Sequence, residues 1–382
     1  MRKEYLMTPG PTPVPSEVLL AQARPMIHHR APIYTEVLLG VLTDLKYVFQ
    51  TGNEVLIYAS SGTGGMESAV VNLFSRGDKV VVVSTGNFGE RWAKISDAYG
   101  LNVTKLDYEW GTKANPQDVA DLLEKDSEIK GILATHSETS TGVLNDIEEM
   151  GRIVSDYPAV LVVDAISGLG ACELKTDEWK VDVVVAGSQK ALMTPPGLSF
   201  VSVSDKAWAM VEKSTLPKFY FDWGKTRDAL HKPSPQSPFT PAISTMLGLS
   251  EALKAIREET LEAVLKRHAL IGKATREGVK ALGLTLFAPE DEKANSVTAI
   301  KAPEGIDGQQ IVKTMREKYG ITIAGGQSKL KGKIFRFGHC GYYDKFDILT
   351  TLAGLEMALG DLGYRFEMGA GVTAAEKIFA AG

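Results

Sequence analysis

Val181-Asp-Val-Val-Val-Ala-Gly-Ser-Gln-Lys190 is a short apolar run that stops at a glycine and ends on a lysine. Runs of the same kind lie upstream. Val160-Leu-Val-Val163 is followed by Asp164, and Gly131-Ile-Leu-Ala-Thr135, Val80-Val-Val-Val83 and Val55-Leu-Ile-Tyr-Ala59 share its character. A strand that is apolar on both faces belongs in a sheet covered on both sides. Amphipathic stretches separate the runs. Gly65–Phe74 reads as a helix, Trp92, Ile95 and Tyr99 mark one helical face, and Asn115-Pro116 opens a further helix with Asn as cap and Pro at the first position. This alternation predicts an α/β domain with a mainly parallel sheet covered by helices.

The pattern changes near residue 204. Residues 214–242 are rich in Pro, Lys and aromatics and have no clear period. Met246, Leu249, Leu253 and Ile256 then step by three and four, and Leu261, Val264, His268 and Ile271 continue the pattern as one long helical stretch. A domain boundary is expected at about 255–260, giving a large domain over 21–257 and a smaller C-terminal α+β domain over 258–382. The latter reads as strand 297–300, helix 307–319 ended by Gly320, strands 321–324 and 333–338, and helix 344–359. The stretch from Arg365 to Gly382 holds few large apolar residues and is expected to be partly loose. At the other end, Thr8-Pro-Gly-Pro-Thr-Pro-Val-Pro15 cannot be helical, because its four prolines fix φ and remove donors. Residues 1–20 are expected to form an extended arm lying on the rest; the alternative is a floppy tail.

A chain of 382 residues implies two domains, or one large domain with an appendage. With 44% hydrophobic and 23% charged residues it is not a disordered chain, a collagen or a coiled-coil rod. A net charge of −5 gives no electrostatic reason to expect nucleic acid or an anionic membrane as partner. Cys172 and Cys340 cannot form a disulfide framework and suggest a reducing compartment. The N-terminus has charge but no apolar core, and no run approaches the ~20 apolar residues of a membrane helix. A cytoplasmic protein is expected. No metal site is expected either, since His28, His29, His136, His231, His268 and His339 form no His-x-x-x-His or Cys/His cluster.

Three stretches carry the chemistry. Ser60-Ser-Gly-Thr-Gly-Gly-Met-Glu67 follows a strand and opens a helix, where free backbone N–H groups suit a phosphate. It lacks the Gly-Lys-Ser/Thr ending of a Walker loop and the spacing of a dinucleotide fingerprint, and alone it reads equally as a tight turn. Asp164 stands at the carboxyl end of a buried strand, where α/β sheets bind ligands, or else it caps a turn. Lys190 follows an interior strand. Lost hydration there would lower its pKa and favour Schiff-base chemistry, unless it snorkels to the surface. Together a phosphate cradle, a strand-end Asp and a strand-end Lys are the parts needed to hold pyridoxal phosphate, with the carboxylate keeping the pyridine nitrogen protonated. Phe88, in Gly86-Asn-Phe-Gly-Glu-Arg91, is placed to stack on such a ring. Arg336, in Ile334-Phe-Arg-Phe-Gly-His-Cys-Gly341, could bind a substrate carboxylate through two parallel hydrogen bonds, or point to solvent while Phe335 and Phe337 face the core.

The chain resembles the class V, fold-type I pyridoxal-phosphate aminotransferases, and within them the alanine–glyoxylate, serine–glyoxylate and serine–pyruvate branch. The resemblance runs from the Pro-Gly-Pro near residue 10 to the Arg336 segment. It rests on Thr135-His-Ser-Glu-Thr-Ser-Thr-Gly142, Val163-Asp-Ala-Ile-Ser-Gly-Leu-Gly170, Gly187-Ser-Gln-Lys-Ala-Leu-Met-Thr-Pro-Pro-Gly197 and Arg336-Phe-Gly-His-Cys-Gly341. It implies a seven-stranded type of large sheet and a homodimer with sites at the subunit interface. It implies that Lys190 is the Schiff-base lysine and proton carrier and that Asp164 pairs with the pyridine nitrogen. Phe88 matches the stacking aromatic, Thr139 the hydroxyl near the ring's phenolic oxygen, and Ser61, Gly62, Thr63 and Gln189 the phosphate cradle. Ile166, in the Asp164 motif, belongs with the cofactor contacts. Relatives complete the cradle from the second subunit, where Gln236-Ser-Pro-Phe-Thr-Pro241 offers Thr240 and no obvious Tyr. Arg336 matches the arginine that binds the α-carboxylate. The implied reaction is ping-pong transfer of an amino group from alanine or serine to glyoxylate or pyruvate.

Other readings compete. A different donor, aspartate or 2-aminoethylphosphonate, would use the same fold. A cysteine desulfurase needs a mobile loop cysteine well before the matching arginine, whereas Cys340 lies four residues after Arg336 and reads as a small packed residue. Members of the family have been labelled hydrogenase subunits, so an idle structural partner is a further alternative; such a protein would be free to lose Lys190 or Asp164. A nicotinamide-dependent dehydrogenase lacks its Gly-x-Gly-x-x-Gly and distal acid. His136 and His339 lie within the motifs and read as structural.

Overall fold

The computed structural model describes residues 3–289 and 294–381. Its centre is a seven-stranded sheet in the order Glu54–Tyr58, Ser199–Val203, Val183–Gly187, Val160–Asp164, Ile129–Thr135, Lys79–Ser84 and Asn102–Asp107. All its pairings are parallel except those of Ser199–Val203, which runs antiparallel to both neighbours. Alternate residues of each strand feed opposite cores, as the pleat requires. Leu161, Val163, Val184 and Ala186 pack with helices Pro32–Phe49, Ile147–Val154 and Ile243–Glu259. Val160, Val162, Val183 and Val185 pack on the other face with helices Gly62–Leu73 and Asn87–Ala98. That double burial is why the strands read as unbroken apolar runs.

The C-terminal part carries a second sheet, Val297–Lys301, Ile334–Gly338 and Ala324–Gly325, with antiparallel pairings. Phe335 and Phe337 enter its core with Met315, Leu352 and Leu355. The arm is held rather than loose. Tyr5–Leu6 pairs in parallel with Ile321–Thr322, the amide of Gly338 donates to the Met7 carbonyl at 2.9 Å, and the Tyr343 hydroxyl reaches the Leu6 and Thr8 carbonyls at 3.0 and 3.2 Å. Residues 16–20, expected within the extended arm, begin the helix Ser16–Gln22, one residue after the last proline of the run.

Two further expectations are corrected. The long helical stretch from Met246 to Ile271 is two helices, Ile243–Glu259 and Leu261–Ala281. Thr260 divides them: its φ of 71° breaks the helix, and its side chain accepts the Ala263 amide at 3.3 Å as cap of the second. Apolar periodicity continues across this break because both helices bury a face.

The C-terminal stretch is likewise ordered: Ala370–Ala381 is a helix against Leu261–Ala281 and Lys345–Asp361. Its fully buried residues are the small Gly371 and Ala375, with Val372, Ile378 and Phe379 only half-buried beside them, which is why it leaves little mark in a count of large apolar side chains. A Cβ on Gly278 would stand 2.9 Å from the Gly371 carbonyl. The buried Glu356 carboxylate accepts the amides of Gly369, Gly371 and Val372 at 2.7, 2.9 and 3.2 Å. Glu356→Ala strands these donors and is expected to cost the C-terminal helix about 2–3 kcal/mol of local stability. Hydrogen exchange would then accelerate at 369–372 and not in the central sheet.

Candidate active site

Adjacent parallel strands end side by side, and this gathers the site. Asp164 closes Val160–Asp164, next to Val183–Gly187, from which the chain turns into Ser188-Gln-Lys190. Asp164 is 3% exposed and accepts the Ile166 amide at 2.9 Å. Burial pushes its carboxyl up to about 7; the Ile166 bond opposes this, Glu138's charge adds to it, and Arg91 and Lys190 pull it back. The Lys190 amine donates to the Pro9 carbonyl at 2.6 Å, and burial holds its pKa below the ordinary lysine range. Lys190 points inward rather than to the surface; the Asp164 carboxyl makes the turn-capping contact two residues on and is sealed at the strand end at the same time.

The helix after Ser61 begins at Gly62, three residues earlier than its sequence pattern suggests. Ser61 stands at its N-cap without a side-chain cap bond; its carbonyl takes the Gly64 amide at 2.9 Å, which leaves the Gly62 and Thr63 amides for another acceptor. Gly62 is needed there: a Cβ would lie 2.4 Å from Ile166 Cδ1. Thr63 Oγ1 accepts from Arg91 Nη1 at 2.9 Å, and the same guanidinium lies 4.7 Å from the Phe88 ring centroid. Phe88 and Arg91 share a helix face at i and i+3. Gln189 Oε1 is buried without a partner. A helix start with free amides and a nearby guanidinium fit a phosphate group.

Arg336 is 4% exposed, which removes the solvent-facing alternative. Its Nη1 donates to the Thr139 carbonyl at 2.8 Å, and its Nε and Nη2 donate to the Gly325 carbonyl at 3.0 and 2.8 Å. Burial lowers its pKa to about 10, against the opposing charge of Glu138. Among the described residues no carboxylate forms an ion pair with it. Thr139 Oγ1 lies 2.7 Å from Ser167 Oγ, which itself donates to the Ser137 carbonyl, so Thr139 donates to Ser167.

Thr240 is the outlier. It is exposed, beside Tyr34, Tyr58 and Ala59, and no hydrogen bond joins it to the other site residues within this chain. Cys340 is 0% exposed against Ala171 and Ala191, as a packed residue and not a mobile nucleophile. His339 bonds Thr298 Oγ1 and the Asn295 carbonyl, and burial lowers its pKa to about 3. His136 is buried near Trp179, with its pKa lowered by burial to about 4. Among the described residues no cluster could hold a metal, and no helix is long and apolar enough to cross a membrane.

Sequence reasoning missed Glu138, Arg91 and the Pro9 carbonyl. The spacing of Arg91 from Phe88 was a usable signal. Glu138 lay inside a quoted motif, but nothing in a sequence gives a carboxylate's partners.

The site brings together an inward lysine, a sealed carboxylate and a buried arginine. The sequence model of the class-V aminotransferase family matches residues 4–338, and the chain belongs to that family. It is similar to a protein named the small subunit of a soluble hydrogenase in a Synechococcus strain, at 44% identity over 98% of both chains. It is also similar to the serine–glyoxylate aminotransferase of Methylorubrum extorquens, at 38% identity over 98% of this chain and 96% of the relative. Among solved structures, the ureidoglycine–glyoxylate aminotransferase of Bacillus subtilis superposes with a TM-score of 0.95 at 30% identity, covering 100% of this chain and 99% of the other. The protein is an aminotransferase with the fold-type I architecture, of a family that depends on pyridoxal phosphate.

The raised pKa of Asp164 has a consequence for stability. The fold holds a proton that the unfolded chain releases above 3.8, so stability from this group is present below that pH and lost as the pH rises through about 7. In the cofactor-free protein, Asp164→Asn should melt at the wild-type temperature near pH 4 and several degrees higher at pH 8. Thermal melts across that range measure it, and a difference that does not grow with pH counts against a carboxyl raised by burial.

Proposed function

We propose that the protein moves the amino group of a small L-amino acid, alanine or serine, to glyoxylate or pyruvate by a ping-pong mechanism. The observation that carries this reading is the buried Arg336 guanidinium, left without an acidic partner on the wall that also holds Lys190 and Asp164. A buried cation in that state calls for an anionic ligand, and its planar fork suits the α-carboxylate of an amino or oxo acid.

Pyridoxal phosphate would be held by Ser61, Gly62, Thr63 and Gln189 at its phosphate, by Phe88 and Ile166 about the ring, by Thr139 near the phenolic oxygen and by Asp164 at the ring nitrogen. Bound there, it supplies the electron sink for a carbanion at the substrate Cα and the carrier for the amino group. Lys190, with its amine pKa lowered, takes the proton from Cα and returns it on the far side of the amino group. Arg336 orients the carboxylate so that this bond faces Lys190. Asp164, sealed from water, holds positive charge on the ring side.

We also propose a cytoplasmic homodimer in which Thr240 reaches the phosphate from the second subunit. Its exposure in the single chain supports this, as do the unpaired thiols of Cys172 and Cys340 for a reducing compartment. The large domain is taken to end at about residue 257. A second reading keeps the chemistry and changes the donor to aspartate; the Arg91 guanidinium, bonded to Thr63 but in no ion pair among the described residues, favours it as a seat for a second carboxylate. The serine–glyoxylate name of one relative favours the first reading. Intact Lys190, Asp164 and Arg336 argue against an idle structural partner.

The test is the absorption spectrum of the protein supplied with pyridoxal phosphate, before and after L-alanine, L-serine or L-aspartate. A visible cofactor band lost with one donor and restored by glyoxylate or pyruvate names the pair; absence of any band overturns the reading. Lys190→Ala should fold and dimerise but lose turnover by roughly two to four orders of magnitude. Arg336→Ala should raise KM for the amino donor roughly tenfold or more, and an unchanged response to donor would put the carboxylate anchor elsewhere.

A further inference from the structure

Glu138 is 0% exposed, and a carboxylate so placed needs donors on both oxygens. It has them. Oε2 accepts the amides of Phe88 and Gly89 at 3.0 and 3.1 Å, and Oε1 accepts the Ser140 amide at 3.1 Å and the Ser140 hydroxyl at 2.5 Å. Ser140 Oγ in turn accepts the Asn87 amide at 2.9 Å. Three successive amides at the start of the helix Asn87–Ala98 therefore end on Glu138, directly or through Ser140.

The helix cannot cap itself, because its N-cap residue is Gly86. Glycine is required there for the same reason: a Cβ would lie 2.4 Å from Cγ and Cδ of Glu138. A carboxylate from another element thus serves as the missing cap, at the helix end where negative charge is favoured.

The next residue extends the reach of this contact. The Thr139 carbonyl takes Arg336 Nη1 at 2.8 Å, and Thr139 Oγ1 bonds Ser167 at 2.7 Å. The negative charge of Glu138 favours the cationic form of Arg336 and the protonated form of Asp164. Phe88 and Arg336, from separate stretches of the chain, are thus both bonded to the Glu138–Thr139 segment, Phe88 through the Glu138 side chain and Arg336 through the Thr139 carbonyl.

We infer that Glu138 is a positioning residue for transamination: its buried carboxylate fixes the Phe88 end of the helix Asn87–Ala98 against the segment that carries Thr139, whose carbonyl holds Arg336. The inference rests on the cofactor and substrate roles proposed above. It predicts that an amide will not substitute for the acid. Each oxygen of Glu138 meets two donors, so in Glu138→Gln one pair of donors faces an NH2 group whichever way the amide turns.

The experiment compares wild type, Glu138→Gln, Ser140→Ala and Asp182→Asn. Asp182 is a buried carboxylate at the other end of the sheet, accepting the Leu161 amide and the Ser204 hydroxyl at 2.9 Å each. The readouts are the dissociation constant for pyridoxal phosphate, the visible circular dichroism of the bound cofactor, KM for the amino donor, and the melting temperature without cofactor. Glu138→Gln is expected to weaken cofactor binding and raise KM by roughly tenfold each, with a weaker dichroic band. Ser140→Ala should do the same to a smaller degree, and it carries the test if Glu138→Gln does not fold. Asp182→Asn should lose melting temperature while keeping both constants.

If Glu138→Gln behaves like Asp182→Asn, or if a folded Ser140→Ala matches wild type in every readout where Glu138→Gln cannot be made, Glu138 is only structural and the inference fails. If wild type itself binds no pyridoxal phosphate, the functional reading fails and takes the inference with it.

Discussion

Charge sealed from water is the constraint around which this molecule is arranged. Asp164, Glu138 and Arg336 are all buried, and Lys190 points inward beside them. None would be tolerated singly, since an unpaired ion in the interior costs several kcal/mol. Here the costs are offset jointly. Glu138 is saturated by backbone and hydroxyl donors, Arg336 spends its N–H groups on the Thr139 and Gly325 carbonyls, and Asp164 holds its proton more tightly. On the proposed reading, the ligand brings the complementary charges: a ring cation for Asp164, an anionic carboxylate for Arg336 and a phosphate for the helix start at Gly62.

The fold supplies the stiffness that this balance needs. Parallel strands with both faces buried are paired up to Asp164 and Val185, so Asp164 and the turn into Lys190 cannot shift independently. The N-terminal arm then ties the two sheets across the site. Tyr5–Leu6 pairs in the C-terminal part, Met7 takes the Gly338 amide, the Pro9 carbonyl receives the Lys190 amine, and Thr12 Oγ1 donates to the Lys190 carbonyl at 3.1 Å. A Cβ at Gly338 would stand 2.1 Å from the Thr8 carbonyl, so the arm lies directly on the end of the strand that carries Arg336. Lys190 and the strand that carries Arg336 therefore share one strap of chain.

The family relationship and the physical reading agree on different grounds. Similarity to named aminotransferases speaks for the chemistry of the class, and the inward lysine and unpaired buried arginine speak for an amino-acid substrate. The hydrogenase name carried by one relative belongs to that protein. Nothing in the geometry of Lys190, Asp164 and Arg336 is suited to a purely structural role, because buried ions without function cost stability that apolar side chains of the same size would return.

Much of this was legible without coordinates. Runs such as Val160–Val163 and Val183–Val185 announce strands buried on both faces, and Asp164 and Lys190 stand out because charged residues immediately follow those runs. Local physics determines such features: apolar period, proline's fixed φ, glycine at a helix start. What only the tertiary structure decided is where polar groups find partners. Glu138 as cap for Phe88, Pro9 as acceptor for Lys190, Arg91 against Thr63 and the tail helix held by Glu356 all join residues distant in the chain. A hydrogen bond is a matter of a few tenths of an ångström and a direction, and neither is written in residue order.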